Sequence, residues 1–150
     1  MKRFNVLSGD LDHDSDRDRH RWRGTRRIGD RLGAARIGAS VFELDDGGLT
    51  FPYHLHHGIE EWLYVVAGTP TVRIPAGERT LQPGDLICFP SGEAGAHTVR
   101  GPGRVMMLSA NQVPSISAYP DSGKIGTRPA DARDRLNFRR ADAVDYWEGE

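Results

Sequence analysis

Short runs of β-branched and aromatic residues alternate with turns that contain glycine or proline between residues 32 and 110. No hydrophobic period of 3.6 residues separates these runs, which argues against alternating helices and strands. The pattern instead predicts an all-β sandwich or barrel. Eight strands are predicted, at residues 36–44, 50–56, 61–67, 71–74, 79–82, 85–89, 96–100 and 104–110.

The segments on either side of this region have a different character. Residues 1–31 are predicted to form a charged N-terminal extension, because residues 8–27 are mainly Asp and Arg with few apolar positions. We expect this stretch to be mobile or to lie on the surface, with Trp22 as the one ring that could dock onto the body or onto a partner. Both extensions are predicted to be irregular.

Residues 111–150 form the predicted C-terminal extension. Three prolines, at positions 114, 120 and 129, interrupt any long element there. The aromatic pair Tyr146 and Trp147 predicts that the end of the chain packs on the barrel or on a partner subunit, since a disordered tail seldom needs two such rings.

Composition narrows the classes of function. The 150 residues suffice for one domain, and 20 basic against 21 acidic residues give a net charge of −1. This balance argues against nucleic acid or an anionic membrane as a partner. The N-terminus lacks the pattern of a signal peptide and no apolar run is long enough to span a bilayer, so we expect a cytoplasmic protein. The single cysteine, Cys88, lies in an apolar run and is predicted to be buried.

Histidine is the residue type that points to chemistry. Four of the six histidines are His54, His56, His57 and His97. Side chains at i and i+2 of a strand project from the same face, so His54 and His56 can grip one metal ion together. One carboxylate, from either Glu60 or Glu61, is close enough to join them, and His97 would complete the set from a later strand. Ordinary hydrogen-bonding histidines are the alternative, but the clustering favours a metal site.

Residues 48–68 resemble the first conserved motif of the cupin family, Gly-x5-His-x-His-x3–4-Glu-x6-Gly. The fixed positions of that motif are matched by Gly48, His54, His56, Glu61 and Gly68. The resemblance implies that Glu61 is the metal ligand and leaves Glu60 for a supporting or proton-transfer role.

The second cupin motif, Gly-x5-Pro-x-Gly-x2-His-x3-Asn, is matched in part. Gly84, Pro90 and Gly92 fit, whereas the expected histidine position holds Gly95 and His97 follows two residues later. Gly101 stands at the asparagine position when the spacing is counted from His97. A short insertion within residues 91–96 would absorb this shift, and no other histidine lies within reach.

The resemblance implies a cupin jelly-roll barrel over residues 32–110, one divalent metal ion per chain and a homodimer. Three imidazoles and a carboxylate, from His54, His56, Glu61 and His97, suit Fe, Mn, Ni, Co or Cu, and also Zn. The flanking segments resemble a subgroup of small bacterial cupins whose members often carry the provisional name sugar-phosphate isomerase.

Three functions are open at this point, all with a small-molecule substrate or ligand. The first is a dioxygenase-like oxidoreductase that acts on a small oxygen-rich molecule chelated at the metal, with Glu60 or Tyr64 carrying protons. The second is a metal-dependent sugar-phosphate isomerase, in which Arg73, Arg104 or Lys124 would bind the phosphate. The third is a cupin that binds a small molecule without catalysis.

Overall fold

Antiparallel strands make up most of the regular structure in the computed structural model, which describes residues 1–150. The strands are β1 His13–Arg17, β2 His20–Thr25, β3 Ile37–Leu44, β4 Leu55–His57, β5 Glu61–Gly68, β6 Thr71–Ile74, β7 Gly77–Thr80, β8 Leu86–Phe89, β9 Thr98–Arg100, β10 Gly103–Ala110, β11 Ser115–Tyr119, β12 Lys124–Arg128 and β13 Asn137–Arg139. One short helix, α1, spans Ile28–Leu32. The predicted all-β class and jelly-roll fold are confirmed.

The strands form three sheets. The largest runs in the order β1-β2-β3-β10-β5-β8, a second in the order β13-β12-β11-β4, and a third in the order β7-β6-β9. The long central strands β3, β5 and β10 pair over seven or eight positions, which anchors the larger sheet. No helix in the structure has the length and apolar character needed to cross a membrane.

The main core lies between the six-stranded and three-stranded sheets. Strand alternation explains which side chains enter this core. Leu63 and Val65 of β5 are fully buried, whereas Trp62, which precedes Leu63 on the same strand, keeps 38% of its surface exposed. Val72 of β6 and Val99 of β9 meet them from the opposite sheet. Burial of such side chains, at about 1.5–3 kcal/mol each, is the principal stabilisation of the barrel.

The N-terminal extension is more regular than its composition suggests. β1 and β2 form a hairpin, and β2 pairs with β3 so that the hairpin continues the six-stranded sheet. Trp22 supplies the reason, because it is 6% exposed and its ring lies 4.9 Å from that of Phe42 in an edge-on contact. One buried ring thus holds an otherwise charged hairpin against the core.

The C-terminal extension is also partly regular. β11 pairs with both β4 and β12, and β13 adds a fourth strand. Beyond β13 the chain is exposed, and Tyr146 and Trp147 retain 83% and 72% of their surface. These two rings contact each other and do not pack on the barrel within one chain.

Two further expectations differ from the structure. Cys88 is exposed and not buried, since it alternates with the buried Phe89 and therefore points away from the core. The predicted strand at residues 50–56 is regular only over β4, with isolated bridges at Leu49 and His54. Pro52 accounts for the interruption, because proline lacks the N–H needed for continuous pairing.

Candidate metal centre

Three neighbouring elements bring four predicted ligands to one place. His54 precedes β4, His56 lies within it, and Glu61 begins β5 after a turn at Gly58. His97 directly precedes β9 and is fixed opposite His54 by two backbone hydrogen bonds, of 2.8 and 3.1 Å. The distant pairing that the sequence left open is therefore present.

The ligand atoms converge on the Glu61 carboxylate. Glu61 Oε2 lies 3.2 Å from His56 Nε2, 3.3 Å from His97 Nε2 and 3.8 Å from His54 Nε2. The donor atoms of His54, His56 and Glu61 all lie within 4.8 Å of one another, so these three residues could hold a metal ion. We call the four residues His54, His56, Glu61 and His97 the His-Glu cluster.

Each imidazole of the His-Glu cluster is fixed through its other ring nitrogen. Nδ1 of His54 lies 2.8 Å from the carbonyl of Pro52, and Nδ1 of His97 lies 2.8 Å from the carbonyl of Gly95. When Nδ1–H donates to these oxygens, Nε2 keeps its lone pair and faces the centre. Such outer hydrogen bonds are a regular feature of histidines that ligate metals.

His56 is oriented by a side chain and not by a backbone group. Its Nδ1 lies 3.0 Å from Ser117 Oγ, and Ser117 belongs to β11 of the C-terminal extension. The register of the two strands explains the contact, since Ser117 lies directly opposite His56. The C-terminal extension therefore takes part in building the His-Glu cluster.

The inner atoms of the cluster are buried without hydrogen-bond partners. His56 Nε2, His97 Nε2 and Glu61 Oε2 are inaccessible to solvent and unsatisfied, although they lie at ion-pair distances from one another. Buried polar atoms without partners are rare because each costs about 1–3 kcal/mol. Three of them facing one point fit the donor set of a divalent metal, with nitrogen and oxygen ligands of the kind that transition metals bind.

Electrostatics favours the protonation states of His54 and Glu61 that ligation needs. Burial lowers the pKa of His54 from 6.5 to about 4, and the neighbouring His97 and His56 add to the shift. Burial alone would raise the pKa of Glu61, but its proximity to His56 and His97 outweighs this and lowers it. At neutral pH His54 is therefore a neutral imidazole and Glu61 a carboxylate.

The two-residue shift of His97 has a structural explanation. Residues Glu93–Gly95 form a 3-10 turn that takes up the additional length before β9. Gly95 is required there, because a Cβ atom at this position would lie 1.8 Å from the carbonyl oxygen of Pro90. The turn places His97 opposite His54 despite the altered spacing.

Aromatic rings border two of the histidines. Phe89 stacks on His97 with ring centroids 3.7 Å apart and planes within 4°, and Tyr119 lies parallel to His54 at 6.0 Å. Sequence reasoning missed Phe89, Ser117 and Tyr119. Alternation in the segment 115–119 is the one signal that could have placed Ser117 and Tyr119 on a common face.

The predicted proton carriers do not join the His-Glu cluster. Glu60 is exposed and adjacent in sequence to Glu61, and Tyr64 lies on the face of β5 opposite to the one that carries Glu61, Leu63 and Val65. Period-two alternation along β5 explains the placement of Tyr64, whereas Glu60 precedes the strand.

The three predicted phosphate-binding cations are also engaged elsewhere. Arg73 pairs with Asp121 at 2.6 Å, on the outer face of β6. Arg104 pairs with Glu43 and contacts backbone carbonyls of the N-terminal segment. Lys124 lies 5.2 Å from the Tyr119 ring centroid. None of them forms an ion pair with the His-Glu cluster.

Comparison with known proteins places this geometry in context. The family model described as "Cupin domain" matches residues 40–111. A provisionally named sugar phosphate isomerase from Acidithiobacillus ferrooxidans is similar in structure, with 24% identity, coverage of 84% of this chain and 81% of that chain, and a TM-score of 0.74. A sugar phosphate isomerase of the cupin superfamily from Silicibacter pomeroyi shares 20% identity, with 95% of each chain covered and a TM-score of 0.78.

A third similar structure is the polyketide cyclase RemF from Streptomyces resistomycificus. It shares 25% identity, with 77% of this chain and 83% of that chain covered and a TM-score of 0.60. No curated protein matches the sequence. The similar structures therefore carry different named activities on one fold, so the chemistry has to be argued from the residues of this chain.

Proposed function

We propose that the His-Glu cluster of this small cupin-domain protein holds one divalent metal ion. The protein is then a metal-dependent oxidoreductase that acts on a small, oxygen-rich molecule. The observation that carries the proposal is the convergence of three unsatisfied buried atoms, on His56, Glu61 and His97, at one point. All three histidines present Nε2 to that point while Nδ1 is held from behind.

The donor set limits which metals fit. Three imidazoles and one carboxylate suit Fe, Mn, Co, Ni, Cu or Zn, and they occupy fewer positions than a six-coordinate ion offers. When bound, a metal would supply Lewis acidity toward substrate oxygens and, if redox-active, electron transfer with O2. The protein's own contribution is to fix the donors, exclude water with Phe89 and orient the substrate near Tyr119.

The environment of the cluster favours oxidation of a chelated substrate over isomerisation. A sugar-phosphate isomerase needs a base for proton transfer and a cation for the phosphate. Glu60 is exposed, Tyr64 lies on the opposite face of β5, and Arg73 and Arg104 are paired with acids elsewhere. Isomerisation is the second candidate, because two similar structures are named sugar phosphate isomerases. Their sequence identities to this chain, 24% and 20%, support a shared fold and not a shared reaction.

The first experiment measures metal content after reconstitution with Fe(II), Mn(II), Ni(II), Co(II), Cu(II) or Zn(II) and gel filtration. We expect about one ion per chain in the wild-type protein and a large loss in His56→Ala. His57→Ala is the matched control, because His57 is adjacent, exposed and outside the cluster. Equal metal content in His56→Ala and the wild type would refute the site, as would a wild type that binds none of the six metals.

The second experiment separates the reactions. The protein loaded with its preferred metal is mixed with catechols, β-diketones and hydroxy acids, and O2 consumption is followed with an electrode. Consumption that requires both substrate and metal supports the oxidoreductase. Turnover of a hexose or pentose phosphate under anaerobic conditions would replace it with the isomerase, and binding without turnover in either assay would leave a non-catalytic small-molecule binder.

A further inference from the structure

A second cavity lies apart from the His-Glu cluster, on the outer face of the three-stranded sheet. Val72 and Val99 of that sheet point into the core, so their neighbours point outward. The cavity has a volume of about 320 Å³, which is at the lower end of the range for small-molecule sites. Its floor consists of the outward side chains Thr71, Arg73, Thr98 and Arg100.

The N- and C-terminal extensions cover this cavity. The β1–β2 hairpin contributes Arg19 from its turn and His20 from the start of β2, and the turn between β11 and β12 contributes Asp121 and Ser122. Tyr53, which points away from the cluster side chain of His54, closes one side. The cavity is therefore built by segments outside the matched family region, residues 40–111, together with the barrel sheet.

The charge of the lining favours an anion. Three guanidinium groups, of Arg19, Arg73 and Arg100, face two carboxylates, of Glu78 and Asp121. Arg73 is held by Asp121 through two bonds of 2.6 and 2.9 Å, and Arg100 by Glu78 at 3.1 Å. Arg19 has no acidic partner, so its positive charge is uncompensated. His20 follows it in the sequence and lines the same cavity.

Several polar groups in the lining have no partner within the protein. The side chains of Arg19, Thr71 and Ser122 make no hydrogen bond, and His20 Nδ1 is buried and unsatisfied. The Arg73 guanidinium is also held in place over the Tyr53 ring, 3.9 Å from its centroid. A wall of fixed cations and free hydroxyl groups matches a ligand that carries a negative group and hydroxyls.

We propose that this cavity, formed by Arg19, His20, Thr71, Arg73, Arg100 and Ser122, is a second binding site for a small hydroxylated anion, a phosphate ester or a carboxylate. The anionic group binds between Arg19 and Arg100, and hydroxyl groups of the ligand bond Thr71 and Ser122. The site is distinct from the His-Glu cluster and needs no metal. It goes beyond the proposed oxidoreductase function and stands if that function fails.

The test titrates the metal-free, full-length protein with glycerol 3-phosphate, glycerate and glycerol at constant ionic strength, followed by amide chemical shifts. We expect one or both anions to shift the amides of residues 19–20, 71–73, 98–100 and 121–122, while glycerol has no effect. A response to glycerol 3-phosphate alone identifies a phosphate site, and a response to glycerate alone identifies a carboxylate site. Shifts confined to residues 54–61, no shifts, or equal shifts with glycerol would overturn the proposal.

A matched pair of variants tests the specific contact. Arg19→Gln removes the uncompensated cation and should weaken binding of the responding anion by about tenfold or more, the usual cost of a charge-assisted bond. Arg21→Gln removes the same charge two residues away, outside the lining, and should bind as the wild type does. Equal weakening in both variants would show that the anion responds to general surface charge and would overturn the site.

Discussion

Replacing Ser117 with alanine removes one oxygen atom and leaves every residue of the His-Glu cluster in place. Ser117 Oγ lies 3.0 Å from His56 Nδ1 and is the one side chain that holds this ring. Without it, the imidazole loses its contact at Nδ1 and can rotate about its side-chain bonds. Because Nε2 must face the other ligands of the cluster to bind a metal, the variant should bind metal more weakly.

The magnitude follows from what outer-shell partners contribute to metal sites. Loss of such a partner costs about 10–100-fold in affinity, or about 1.4–2.7 kcal/mol. His54 and His97 keep their backbone acceptors in this variant, so the loss should stay within that range. A competition titration of Zn(II) or Co(II) against a chromophoric chelator measures it directly.

Ser115→Ala is the control for this experiment. Ser115 is a buried serine on the same face of the same strand, two residues from Ser117, and its hydroxyl makes no hydrogen bond to the cluster. Ser115→Ala should bind metal with wild-type affinity, whereas Ser117→Thr should recover part of the loss. If Ser117→Ala binds as tightly as the wild type while the metal-free fold is unchanged, the orienting role assigned to Ser117 is refuted.

Three further outcomes are expected. Trp22→Ala should lower the free energy of unfolding by about 3–5 kcal/mol in a urea titration, because it empties a buried aromatic position; a loss below 1 kcal/mol would mean that the β1–β2 hairpin contributes little. Tyr146→Ala, at an 83% exposed position, should change that energy by no more than about 0.5 kcal/mol, and a larger change at micromolar concentration would reveal a contact outside the single chain. In the metal-free protein the free energy of unfolding should fall by about 3 kcal/mol between pH 7 and pH 4, because the pKa of His54 is lowered from 6.5 to about 4 and the unfolded chain takes up the proton first. His54→Asn should show a shallower pH dependence of this energy, and an equal slope would contradict this origin.

The parts of the site that sequence predicted are those governed by local geometry. His54 and His56 share a face because strands alternate with a period of two, and Glu61 follows after one short turn. These relations involve residues within eight positions of one another. The other predicted barrel strands each overlap an observed strand for a similar reason, since they are short runs closed by their own turns, whereas the predicted strand at residues 50–56 is regular only over β4.

The parts that sequence did not predict depend on pairing between distant segments. Ser117 reaches His56 because β11 pairs with β4, 61 residues away, and no local signal announces that choice of partner. The hairpin of β1 and β2 was obscured because both of its strands are mainly polar or charged, with Trp22 as the one large apolar residue. Tyr64 lies on the face of β5 opposite to Glu61, because the two positions differ by three residues on one strand.

The pairing of β4 with β11 has a consequence for the order in which the protein is completed. β4 has three residues, and without its neighbour it would be an open edge with unpaired backbone groups beside two histidines. Since residues 115–119 are synthesised after the barrel strands β3–β10, that edge stays unpaired until they emerge. A chain truncated before residue 115 would therefore expose an unpaired strand edge that carries metal ligands. A metal ion would then bind an incomplete site, and the same edge could pair with the strands of neighbouring chains.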